Sequence, residues 1–151
     1  MKNICDLYLN KEVDSYHFKY LSLFDKTFIY IPQKLYSGYL GLNVERIKLV
    51  SVVIALRKEG IEAINVPVIY RDGLLLSRVT GFDIAKKHAL LNGYNVMLEN
   101  INENIPLCWS YIITNHQNEK VGGVVHVDKL DGHIWTSLEY EEYMYDYNNI
   151  L

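Results

Sequence analysis

Between Thr80 and Thr136 the residue pattern changes period once, from helical spacing to a succession of short β-branched and aromatic runs. No other feature limits the fold as much. Thr80-Gly81-Phe82-Asp83 reads as a capping-box-like helix start, Ile84, His88 and Leu91 form one stripe with Ala85 and Ala89 beside it, and Gly93 supplies a stop. Four strand-like runs follow, at 94–98, 108–114, 121–127 and 133–136, and the polar pieces 115–120 and 128–132 are turn-formers between them. Consecutive strands joined by short turns pair antiparallel, so the expected class is α+β, a single compact domain with an antiparallel sheet and packed helices. If it subdivides, the pattern places an N-terminal lobe at 1–79 and a helix-plus-meander lobe at 80–151.

Upstream the signals are more mixed. Aromatic and charged residues over 1–24 (Tyr8, Tyr16, Phe18, Tyr20, Leu21, Leu23, Phe24) recur at three and four, which favours short helices. Lys26 to Ile31 is β-branched and aromatic and stops at Pro32, which predicts a strand, while Leu35 to Leu42 with Gly38 and Gly41 predicts a loop. Asn43 as N-cap, Glu45 in the first turn, Arg57 and Lys58 in the last and Gly60 beyond mark a helix, apolar on most sides and so expected to be buried. Ile64 to Tyr70 reads as a strand kept to an edge or bulge by Pro67, followed by a turn at Arg71-Asp72-Gly73 and a second strand over Leu74 to Leu76.

The segment 80–136 resembles the small helix-plus-hairpin module of the PepSY-like and YrhB-like class. Carrying the resemblance are the helix residues Phe82, Ile84, Ala85 and Ala89, the Trp-led strand Trp109-Ser110-Tyr111-Ile112-Ile113, and Val125-His126-Val127-Asp128 followed by Gly132. Where that class usually has Thr before the turn Gly, this chain has Asp131. The module recurs in bacterial immunity proteins of contact-dependent inhibition and polymorphic toxin systems. The resemblance therefore implies a cytoplasmic inhibitor that binds the C-terminal domain of a cognate toxin, needs no cofactor and is not an enzyme. Immunity proteins share no motif, so the resemblance assigns no contact residue. The same module also admits a small-ligand or peptide-binding regulatory domain, with a cleft between the Thr80 helix and the strands near Trp109 and His126.

Charge narrows the partner class. The net charge of -3 removes the attraction that non-specific nucleic-acid binding requires. The distribution is uneven: residues 1–130 hold 15 basic and 13 acidic side chains, a net of +2, whereas 131–151 hold five acids and no Lys or Arg. Two cysteines, Cys5 and Cys108, make no disulfide framework and share no metal-ligand spacing, which fits a reducing compartment. Asp6, Lys11 and Glu12 interrupt any signal-peptide core, and the longest apolar block, 52–56, falls far short of the roughly 20 residues that span a bilayer. The expectation is a soluble protein with no membrane contact.

Catalytic and metal signatures are sparse. His17, His88, His116, His126 and His133 are scattered without paired-ligand spacing. His126 and Asp128 would share a strand face with His133 across the turn, which could gather a metal or move protons. The alternative is a polar hairpin face that meets water. Cys108 beside Trp109 reads as a buried thiol, and Gly122-Gly123 as a bulge or a close backbone approach rather than a phosphate loop.

The terminal run 138–147 carries the most specific expectation. Tyrosine offers contact area at low entropic cost, and carboxylates complement a Lys/Arg-lined cleft. The expected partner-binding residues are Asp131, Glu139, Tyr140, Glu141, Glu142, Tyr143, Tyr145, Asp146 and Tyr147, facing a basic toxin domain such as a nuclease. The competing reading is a C-terminal helix whose Tyr140, Tyr143, Met144 and Tyr147 are a packing stripe. Both hold together if tyrosines anchor the helix and acids face outward.

Overall fold

The computed structural model describes the backbone of residues 4–100 and 105–147, and the side-chain surroundings of 4–98 and 105–144. The class is α+β, with antiparallel sheets and packed helices, as the segment pattern predicts. The chain packs as two units: one runs up to Asp72 and resumes at Glu141, the other is Gly73–Tyr140. Among the described residues no helix is long and apolar enough to cross a membrane.

The first unit is built on β1 (Ile4–Val13), where the sequence spacing predicts short helices. Tertiary context overrides that spacing, because Cys5, Leu7 and Leu9 alternate with period two and all point into the core. The three-and-four spacing is realised further on, in a 3-10 helix at Tyr16–Leu23 that buries Phe18 and Leu21. Along one edge of β1 runs β4 (Ala63–Pro67), antiparallel with Leu7 opposite Asn65; along the other lie β2 (Tyr36–Tyr39) and β3 (Val44–Glu45). Thus 35–42, expected as a loop, contains a strand, whereas 26–31, expected as a strand, is turn and irregular backbone that joins no strand among the described residues. Helix α1 (Arg46–Lys58) contributes Leu49, Val53 and Leu56 to this core and ends at Gly60, whose φ of +79° needs glycine. Asn43 is not its cap: the Asn43 N–H goes to Asp25 and its side-chain oxygen accepts from Arg71.

Asp6, on the opposite face of β1, is fully buried and still well satisfied. Its carboxylate accepts the N–H groups of Leu7, Gly41 and Leu42 at 2.7–2.9 Å and the Arg71 guanidinium at 2.9 Å. Those donors offset the desolvation of a buried charge. Arg71 belongs to a short helix, α2 (Val68–Asp72), that follows Pro67 where the sequence suggests a continued strand and a turn.

In the second unit α3 (Arg78–Leu91) starts two residues before the expected Thr80, with Ser77 as N-cap accepting the Thr80 N–H. It packs on a four-stranded meander of β5 (Asn95–Asn100), β6 (Cys108–Thr114), β7 (Lys120–Asp128) and β8 (Ile134–Trp135) in sequence order. The small residues Gly81, Ala85 and Ala89 recur every four positions and let the helix lie close to Tyr111, Val125 and Val127. Gly81 is the tightest point: a Cβ there would sit 2.7 Å from Tyr111 Oη and 2.9 Å from Trp109 Cδ1. Gly122 and Gly123 have φ of +87° and +93° and lie where the register of β6 against β7 shifts, so they form the expected bulge. Leu74 to Leu76 is not a strand; the Leu76 N–H bonds to Lys129 and its carbonyl accepts Trp109 Nε1–H.

Candidate functional site

The acidic segment begins at the turn after β7, and Asp128 organises that turn. One carboxylate oxygen accepts the Leu130 N–H at 2.8 Å, and the other accepts Trp135 Nε1–H at 3.0 Å. Its main chain closes the loop through Asp128 N–H to His133 C=O at 2.8 Å and Gly132 N–H to Asp128 C=O at 3.0 Å. Asp131 is left exposed at the tip, accepting the His133 N–H at 2.9 Å.

A reciprocal cap then starts α4 (Ser137–Glu141). Thr136 Oγ1 accepts the Glu139 N–H at 3.1 Å, and Glu139 Oε1 accepts the Thr136 N–H at 3.0 Å. His133 Nε2 lies 2.8 Å from the other carboxylate oxygen. The Thr136 N–H first, and the His133 ring second, hold the Glu139 carboxyl below its ordinary range. Glu139, expected to meet a partner, is therefore engaged by its own chain, because the sequence that reads as an acidic run is also a Thr-x-x-Glu cap.

Tyr140 stacks on the His126 ring with centroids 4.6 Å apart and planes 16° from parallel. The His126 Nδ1 is 2.8 Å from Ser110 Oγ, directly across the strand pair, and burial pushes the imidazole below its ordinary value. Tyr143 is buried, and its hydroxyl donates to the Asn65 carbonyl of β4. Arg57, at the end of α1, reaches the Met144 carbonyl at 3.4 Å and the Ala63 carbonyl at 3.5 Å. The terminal segment is thus tied to β4 at Asn65 and to α1 through Arg57. Tyr140 and Tyr143 pack against their own chain, Tyr140 on His126 and Tyr143 on the Asn65 carbonyl.

Glu141 and Glu142 are exposed and have no hydrogen bond or ion pair with any described residue. Of the expected contact residues, Asp131, Glu141 and Glu142 face solvent, Glu139 and Tyr140 are half-buried and engaged by their own chain, and Tyr143 is buried. The side chains of Tyr145, Asp146 and Tyr147 lie outside the described residues; their backbone continues the helical path in a π-type turn, Glu142–Tyr147. Sequence reasoning missed Arg57 and Asn65 as anchors for this segment. Arg57 reads as an ordinary helix-terminal cation, and nothing local to Asn65 points to a residue 78 positions away.

The other candidate chemistry disperses. His126 is engaged by Ser110 and Tyr140, Asp128 by its turn and Trp135, and His133 by Glu139, so the three do not converge on one point. Among the described residues no three His, Cys, Asp or Glu side chains are grouped to hold a metal. Burial, with Asp128 adding to it, pushes the Cys108 thiol far up, away from nucleophilic thiolate character. At Trp109, beside which the sequence places a cleft, the indole packs on Gly81, donates to the Leu76 carbonyl and carries Lys129 Nζ 4.1 Å from its ring centroid. Comparison with known protein families, curated proteins and solved structures gives no match for this chain.

Proposed function

We propose that this protein is an inhibitor of the immunity type, which docks on a basic protein toxin domain and covers its active surface. One observation carries the reading: Glu141 and Glu142 stand free in solvent beside Tyr143, whose burial fixes the segment that presents them. A carboxylate pair on an anchored segment costs less entropy to engage than one on a loose tail. The uneven charge along the chain adds direction, since the stretch after Leu130 is uniformly acidic while the rest carries a slight positive excess. Such a field speeds and orients encounter with a basic partner.

The test is co-expression with the product of the adjacent reading frame, a secreted protein with a basic C-terminal domain if the reading is right. The expected result is a stoichiometric complex that survives gel filtration and abolishes the toxicity of that domain. Separate elution of the two proteins at micromolar concentration, with toxicity intact, contradicts the reading.

A further inference from the structure

Strand β2 has a free edge. It pairs with β1 on one side, and no described strand pairs with it on the other. The Leu40 N–H is committed to the Leu7 carbonyl, so strand alternation turns the main-chain groups of Tyr39 the opposite way. Alongside lies a hollow of about 450 Å3, walled by Tyr36 and Tyr39 of β2 and by Thr27, Ile29, Lys34 and Leu35 of the preceding loop. Ile29 is 76% exposed and Leu35 58%, which leaves apolar surface at the hollow uncovered. Lys34 places its ammonium 4.9 Å from the centroid of the Tyr36 ring.

Among the residues that line the hollow, Lys34 carries the charge. Of the acids around it, Asp14 accepts the Tyr30 hydroxyl and Asp72 is paired with Arg71. The neighbouring Asp25 is occupied by Thr27 and by the Asn43 N–H. An unpaired strand edge beside a partly apolar hollow with a lysine is the arrangement that recognises an extended polypeptide by strand addition: main chain supplies affinity, and alternate side chains supply selectivity.

We propose that the β2 edge takes an extended, acid-bearing segment of a partner polypeptide, with its apolar side chains against the exposed Ile29 and Leu35 and a carboxylate on Lys34. The surface lies in the first unit and uses none of the C-terminal carboxylates, so it stands or falls separately from the inhibitor reading.

A fluorescein-labelled heptapeptide of alternating Glu and Val, compared with the matching Lys and Val peptide, tests it on the full chain. The expected result is at least tenfold tighter binding of the acidic peptide by anisotropy, with amide exchange slowed at least fivefold within Tyr36–Tyr39. Lys34→Glu should weaken the acidic peptide at least fivefold, and Lys34→Gln, the milder variant, by a smaller factor in the same direction. Equal binding of the two peptides, exchange protection confined to other segments, or protection of β2 by phosphatidylserine vesicles in place of the peptide overturns the proposal.

Discussion

Tyr143 shows how one side chain decides what the terminal segment is. As a ring in solvent it would be contact area; as a buried ring bonded to the Asn65 carbonyl it is a peg that holds the segment on β4. Removing only the hydroxyl, in Tyr143→Phe, should cost about 1 kcal/mol because a buried carbonyl loses its donor. Tyr143→Ala should cost about 3 kcal/mol, since a cavity is added to the lost bond. Urea denaturation of the two variants checks this, and near-zero losses in both would return the ring to solvent. Acidity offers a second test at this scale. Both His126 and Glu139 have folded-state values below their ordinary ones, so each binds protons more readily when unfolded. The stability each contributes is complete above its ordinary value, near 6.5 for His126 and 4.5 for Glu139, and is lost as pH falls through the lowered folded value. Melting temperature should therefore drop in two steps on acidification, the upper one flattened in His126→Gln. A melting temperature that rises between pH 7 and 5 contradicts the sign.

At the scale of elements, the contact between α3 and its sheet turns on Gly81. Helix propensity alone favours alanine there by about 1 kcal/mol. The close approach opposes it, because Tyr111 is fully buried with its hydroxyl 2.5 Å from the Arg78 carbonyl and Trp109 is tied to Leu76, so neither ring can swing aside. Overpacking of this kind costs about 1–3 kcal/mol, so Gly81→Ala should be destabilised on balance, measured as a lower urea midpoint. A raised midpoint would mean that the helix has room to lift. Much of this unit is legible in sequence: Ala85 and Ala89 of α3, β6 over Cys108–Thr114 and the glycine bulge of β7 all rest on local chemistry, whereas the expected stripe of Ile84, His88 and Leu91 leaves His88 and Leu91 exposed. The first unit is less so. β1 holds Tyr8 alone of the aromatic residues spaced by three and four, and it becomes the central strand because β2, β3 and β4 all pair with it, a fact held in residues up to 62 positions away. Asn43 has the chemistry of a helix cap, yet Asp25 and Arg71 claim it. The terminal segment is half legible: its acids read correctly as outward at Glu141 and Glu142, while the Thr136–Glu139 cap was present in the letters and hidden by the charge pattern around it.

For the whole molecule, the charge distribution is the property that bears on function. A slight positive excess up to Leu130 and five acids after it, with no cation among them, are the asymmetry on which the proposed docking rests. Glu141 and Glu142 are the members of that set best placed to use it, being exposed and free of internal partners among the described residues. Their neutralisation leaves the Thr136–Glu139 cap and the Tyr143 peg untouched, so it separates docking from folding. The direct measurement is stopped-flow association of the chain with the basic domain encoded beside it, across a range of salt concentration, for the native protein and for Glu141→Gln/Glu142→Gln. The account predicts that the double variant associates about tenfold more slowly at low salt, with a shallower salt dependence and an unchanged melting temperature. Identical association rates and salt slopes for the two proteins would contradict it.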